Sequence, residues 1–389
     1  MSSVFDLANA FVTYVKQAFA QNVAIVAYYG SYATGTASDR SDLDLYYIPD
    51  DGKAVDLYRS FVLDGRPFEF WPVTWTFAEK IASGKHHWAV APSILANARV
   101  LYTRSAEDLA RFEGLREEIT SLQKPENKDR AVVCAWDAFK IAPFYLESLR
   151  LSCACQDMVG AREKGSQLVY VLLDCLALVN QRTFTRDWTS DIEPVRNLTQ
   201  KPDRTLEMIE TIMISADAVQ IEYAAESFLR ETREILMAVQ RECQTVSTLQ
   251  EVFEGYYPAI QEYVGKILSA CEQQNLIKAS YWSMKMQSEV ALMLAQSFRN
   301  KSLSAMNIYN EYGGYLASLD WPDLGQALES RDFGYITEQA LSFAQQVKEY
   351  LTANAVSLNI FESLEEAQAY ISTGNPVFSH ERSDNSQLI

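Results

Sequence analysis

The stretch "YYGSYATGTASDRSDLDLYYI", residues 28–48, constrains the fold of this chain more than any other. A β-branched and aromatic run, "VAIVAYYG" (23–30), stops at Gly30 and reads as a strand. Ten residues after Gly30-Ser31 a second strand-like run, "DLDLYYI" (42–48), opens with two acids. Successive strand side chains face opposite sides, so Asp42 and Asp44 share one face while Leu43 and Leu45 pack into a core. Two neighbouring carboxylates repel, and burial raises their pKa values unless a cation sits between them. A divalent ion with hard oxygen ligands removes that conflict. Mg²⁺ suits it, taking one or two carboxylates and completing its octahedron with waters and substrate phosphates.

The upstream half offers contacts for such phosphates. Gly30 lacks a Cβ, so a bulky ligand could approach the backbone, and Ser31 adds a hydroxyl. The residues "YATGT" could start a short helix whose free N–H groups face an anion. The chain has neither a Walker loop nor a G-x-G-x-x-G string, so metal, hydroxyl and backbone must do most of the phosphate binding. Two ions clamping an in-line displacement would call for a third acid. Glu69 is the candidate: in "RPFEFWPV" it alternates with Phe68 and Phe70 and is the sole acid between Arg66 and Thr76. Its partner is either a metal or Arg66.

These residues resemble the signature of the polymerase-β-like nucleotidyltransferase superfamily: Gly-Ser, ten residues, Asp-Leu-Asp-Leu, then an isolated acid on a later strand. "GSYATGTASDRSDLDL" is similar to the bacterial antibiotic nucleotidyltransferases of aminoglycoside and lincosamide type, and to the related minimal nucleotidyltransferases. "ARVLYTRS" resembles the strand that closes their catalytic domain. "LALVNQRTFTRDW" and "VRNLTQKPDRTLEMI" resemble the helical region of kanamycin-nucleotidyltransferase-like proteins. The resemblance covers roughly residues 23–105 well and the helical part to about 245 less well; the block from 249 on resembles no family. It implies an ATP-using, Mg²⁺-dependent transferase in which Asp42, Asp44 and Glu69 are catalytic and bind one or two metal ions. Gly30 and Ser31 would bind the nucleotide phosphates, with Ser41 orienting Asp42. The acceptor would be a hydroxyl on a small, cationic, aminoglycoside-like molecule, as in antibiotic resistance. Two alternatives stand beside it: a protein-modifying (AMPylating) enzyme of toxin–antitoxin type, and a non-catalytic nucleotide-binding regulator. For the base, Glu69, Glu79, His86 and His87 all stay open. Lys140, Lys164 and Arg182 are candidate triphosphate contacts, and Tyr145, Tyr170, Trp188 and Trp282 candidate stacking partners for a base.

Charge narrows the partners. Residues 1–105 carry ten acids and nine bases, whereas 106–389 carry 41 acids and 25 bases. Polynucleotide binding calls for a basic surface, so no nucleic-acid partner is expected. An acidic half is compatible with a cationic substrate drawn by the field, and equally with plain solubility. Six cysteines without a C-x-x-C pair read as buried thiols, and three histidines exclude a His-rich metal site. Residues 4–19 show helical periodicity without a basic leader, and the longest apolar stretch, 168–179, is interrupted by Asp174. No membrane span is expected, and the expected location is cytoplasmic.

The expected fold class is therefore α+β: a small mixed-sheet nucleotidyltransferase domain followed by a large all-α helical-bundle region. The expected divisions are 1–105 (catalytic), 106–248 (helical, substrate-binding-like), 249–371 (second helical domain) and 372–389 (flexible tail). "LSCACQ" and "LSACEQ" each end one long helix and precede another. The abundant helical surface makes a homodimer easy to build.

Overall fold

The computed structural model describes residues 4–38, 41–50, 57–243, 248–299, 316 and 319–372. Of the expected tail, residues 373–389 lie outside the described residues. The chain divides into two compact units, Met1–Cys243 and Gln244–Ile389.

The first unit is built on a five-stranded mixed sheet in the order β3-β4-β2-β1-β5. Helix α1 (Val4–Ala18) leads into β1 (Val23–Tyr29), then a single-turn helix α2 (Gly30–Thr34) and β2 (Asp44–Pro49). Strands β3 (Arg59–Leu63) and β4 (Arg66–Pro72) form a hairpin. Its turn places Asp64 and Gly65 at φ 52° and 76°, the paired left-handed residues that match the twist of a two-residue hairpin. Helices α3 (Trp75–Ala82) and α4 (Pro92–Ala96) precede the closing strand β5 (Arg99–Thr103). β1 runs antiparallel to both β2 and β5, whereas β2 and β4 are parallel.

Both faces of the sheet are covered. Leu43, Leu45, Tyr47, Phe68 and Phe70 pack on Phe11 and Val15 of α1, as the alternation predicts. Tyr46 and Ile48 join Val73, Trp75 and Trp88 on the other face. That second core continues through the helices α5 (Ala106–Leu122), α6 (Lys128–Phe139), α7 (Ala142–Ala154) and α8 (Met158–Val179). It then takes in the short α9 (Glu193–Arg196), α10 (Thr205–Ile214) and α11 (Ala218–Cys243). α8 is the axis of this bundle, apolar on nearly every side and buried from Leu168 to Val179 apart from Tyr170.

The second unit is all-α. The short α12 (Leu249–Phe253) is followed by α13 (Tyr257–Glu272), α14 (Leu276–Arg299), α15 (Leu324–Glu329), α16 (Phe333–Ala353) and α17 (Leu364–Ser372). Phe253, Ile260, Ile267, Met286, Phe343 and Val347 are central in its own core. Both cysteine-containing pieces end helices where periodicity places them, at Ala154 and Glu272. Cys134, Cys153, Cys175 and Cys271 are buried; Cys155, in the turn after α7, is exposed, and Cys243 is intermediate. Among the described residues no helix is long and apolar enough to cross a membrane.

Candidate active site

The strand register gathers the acids. Asp44 opens β2 and lies opposite Tyr29 of β1 on one side and Glu69 of β4 on the other. Tyr29, Asp44 and Glu69 thus form one row across three strands, on the sheet face away from α1. Asp42 precedes β2 and is half-buried, two residues from Asp44 with the buried Leu43 between them.

Asp44 carries the electrostatic burden of this row. Burial first, then the charges of Asp42 and Glu69, push its pKa from 3.8 up to about 6. Tyr29 feels the same field: burial and the Asp44 charge hold its phenol protonated far above the ordinary range, although a hydrogen bond with Trp71 acts the other way.

Gly30 shows why this position has no side chain. Its φ is +73°, and a Cβ there would lie 2.0 Å from Asp44 Oδ2 and 3.1 Å from Asp44 Cγ. The space expected for an approaching ligand is occupied by the chain's own carboxylate, which rests on the Gly30 backbone. α2 begins at Gly30 itself, ahead of "YATGT", and ends at Gly35 in the left-handed conformation. Thr34 Oγ1 donates back to the Gly30 carbonyl at 3.1 Å, tying the turn together.

The remaining predicted residues lie as follows. Ser31 follows Gly30 in α2 and is half-buried. Ser41 Oγ accepts from the Ser38 N–H at 2.9 Å, while the Ser41 N–H donates to the Ser38 carbonyl at 3.0 Å, so the hydroxyl is engaged in closing a turn. Glu69 is exposed, and Tyr58 Oη donates to its Oε1 at 3.0 Å. Among the described residues no ion pair joins Glu69 to Arg66; Tyr58 takes the place expected for it. Glu79 is paired with Arg111 at 2.8 Å. His87 is bonded to Asp174, and His86 packs edge-on to Phe77 and to His87. Lys140 and Lys164 have carboxylate partners, Asp137 at 2.6 Å and Glu163 at 2.8 Å. Tyr170 donates to Asp187 at 2.7 Å and meets Trp188 edge-on. Trp282 belongs to the second unit, where it stacks on Tyr263 with Lys266 over its ring.

Among the described residues no three His, Cys, Asp or Glu side chains converge tightly enough to form a metal cage. The donor set nonetheless suits a hard cation: two half-buried carboxylates that repel each other, open to waters and phosphate oxygens. Tyr29 and Tyr58 are the neighbours that sequence reasoning missed. The only local signal for Tyr29 is its place one residue before the glycine; Tyr58 has none.

No protein family and no curated protein matches this chain. Among solved structures it is similar to a nucleotidyltransferase-like protein from Exiguobacterium sibiricum 255-15, at 14% identity and a TM-score of 0.36, over 64% of this chain and 84% of that one. A likeness so slight carries no argument about activity.

Proposed function

We propose that the chain is a nucleotidyltransferase that moves a nucleoside monophosphate, AMP from ATP, onto a hydroxyl of a small cationic acceptor. The observation that carries this reading is the row Tyr29–Asp44–Glu69 with Asp42 beside it and the Asp44 carboxylate seated on Gly30. Asp42 and Asp44 would hold one or two Mg²⁺ ions, with Glu69 as a further ligand once released from Tyr58. The metal would supply charge neutralisation for the triphosphate and the departing pyrophosphate. The Ser31 hydroxyl, beside Gly30, would bind a phosphate oxygen, and the ends of the inner strands β1, β2 and β4 would fix the α-phosphorus for in-line attack. The acceptor oxygen forms the new bond to that phosphorus as the bond to the bridging oxygen breaks, and a carboxylate, Glu69, takes the hydroxyl proton. The preference for a cationic acceptor rests on the acidic excess of residues 106–389.

A non-catalytic nucleotide-binding regulator is favoured by one observation: Glu69 is held by Tyr58. Calorimetric titration with a non-hydrolysable ATP analogue, with and without Mg²⁺, tests the site on wild type and on an Asp42→Ala/Asp44→Ala variant. The reading expects binding that needs Mg²⁺ and vanishes in the variant. Pyrophosphate release with ATP and a panel of cationic polyols then separates enzyme from regulator. Mg²⁺-independent binding that survives in the variant refutes both.

A further inference from the structure

Asp174 interrupts the long apolar stretch 168–179 of α8, and its carboxylate is almost wholly buried, 7% exposed. Burying a charge costs several kcal/mol unless it is paired. Asp174 has two partners: Oδ2 lies 3.1 Å from His87 Nδ1, and Oδ1 accepts the Ala89 N–H at 2.8 Å. His87 itself has φ +35°, a conformation that costs a non-glycine residue energy. Its ring is 54% exposed, and with Nδ1 engaged, Nε2 has no partner among the described residues.

The ring lines a cleft of about 450 Å³ between the loop Gly84–Trp88 and the helices α6 and α8. Its apolar wall comes from Trp88, Ile141, Val171 and Leu178. Its charges do not balance as the rest of the chain would suggest. Both acids of the lining are already paired, Asp137 with Lys140 and Asp174 with His87. Lys85 and His86 remain, so one loop brings Lys85, His86 and His87 together in a protein of net charge −17. Four successive ring contacts of 4.5–6.4 Å, through Trp71, Phe77 and His86, stand between His87 and Tyr29 of the acid row.

We propose that this cleft is a second small-molecule site, which binds an organic anion, a carboxylate or phosphate monoester carried on an apolar body, between the His87–Asp174 pair and Lys85. Asp174 fixes the ring so that Nδ1–H points to it and the Nε2–H of the imidazolium donates to the anion. The hydrogen bond to Asp174 favours the charged form of His87, whereas burial, followed by the His87 charge, lowers the pKa of His86. The other titratable groups facing the pair are Lys85 on the loop, Lys80 of α3, Cys134 and Asp137 of α6, Lys140 just beyond it, and Tyr170 and Cys175 of α8. The anion should therefore bind more tightly near pH 6 than near pH 8. The inference does not rest on nucleotidyl transfer.

The chain has three histidines, His86, His87 and His380, so ¹³C-histidine NMR of the full-length protein follows the site directly. The probes are phenyl phosphate, benzoate, inorganic phosphate and benzyl alcohol. Saturable movement of the His87 signal with the first two is expected, and the calorimetric affinity for phenyl phosphate should fall about tenfold or more in His87→Gln or Lys85→Met. It should persist in Asp42→Ala/Asp44→Ala. Phenyl phosphate that leaves the His87 signal unmoved overturns the proposal, as does binding indifferent to both cleft variants. Inorganic phosphate or benzyl alcohol binding as well as phenyl phosphate overturns the ligand class. Loss of binding in the Asp42/Asp44 variant would overturn the proposal and assign the anion to the acid row instead.

Discussion

Gly30→Ala separates the two demands that the Gly30–Asp44 contact makes. An alanine at φ +73° takes up the left-handed conformation at a cost of about 1–2 kcal/mol. Its Cβ would stand 2.0 Å from Asp44 Oδ2, far inside any real contact. The atom it meets is the end of a side chain, so the carboxylate swings away rather than the strands parting, and the stability loss stays near the backbone figure. For a unit of this size that is a fall in Tm of roughly 2–8 °C. Site chemistry loses far more, because Asp44 is displaced from its place between Tyr29 and Glu69. Gly35→Ala is the matched control: φ is +74°, yet nothing lies within 4 Å of the added Cβ. Both variants should lose similar stability in urea denaturation, but only Gly30→Ala should lose Mg²⁺-dependent nucleotide binding, as completely as Asp44→Ala does. If Gly30→Ala binds Mg²⁺ and nucleotide as wild type does, the carboxylate seated on Gly30 is not part of the site.

Asp44→Asn should stabilise the metal-free protein at neutral pH. A carboxyl raised from 3.8 to about 6 favours the native state at low pH, and that stability is lost as pH rises between these values, by roughly 2–3 kcal/mol. Denaturation in EDTA at two pH values measures it, and a wild type no less stable than Asp44→Asn above pH 6 would contradict it; added Mg²⁺ should reverse the order. Tyr58→Phe removes the hydroxyl that holds Glu69 and should tighten Mg²⁺ binding; weaker binding in calorimetry would show that Tyr58 positions the acid rather than sequesters it. Gly165→Ala in α8 places a Cβ 2.4 Å from Ile212 Cγ2 of α10, an overpacked contact that should cost about 1–3 kcal/mol in thermal denaturation and leave nucleotide binding intact.

The sequence alone determined the local features. Period-two alternation put Leu43 and Leu45 on one face and the acids on the other, and the same rule read Phe68, Glu69 and Phe70 correctly. Gly30 marked the strand end, and the 3.6-residue stripes marked the long helices, because these signals depend on neighbours a few residues apart. Tertiary structure decided what meets what. Asp44 and Glu69 are brought side by side by a parallel pairing of β2 with β4, which period alone cannot specify. Gly30 is a glycine here because Asp44, fourteen residues on, leans against it, a reason different from the open backbone that its type suggested. Tyr58 in place of Arg66 beside Glu69 likewise follows from the hairpin register. Asp174 looked like a mere interruption in an apolar run. Its charge is tolerable only because the fold brings His87 and the Ala89 N–H to it from 85 to 87 residues away, and no local pattern encodes a partner at that separation.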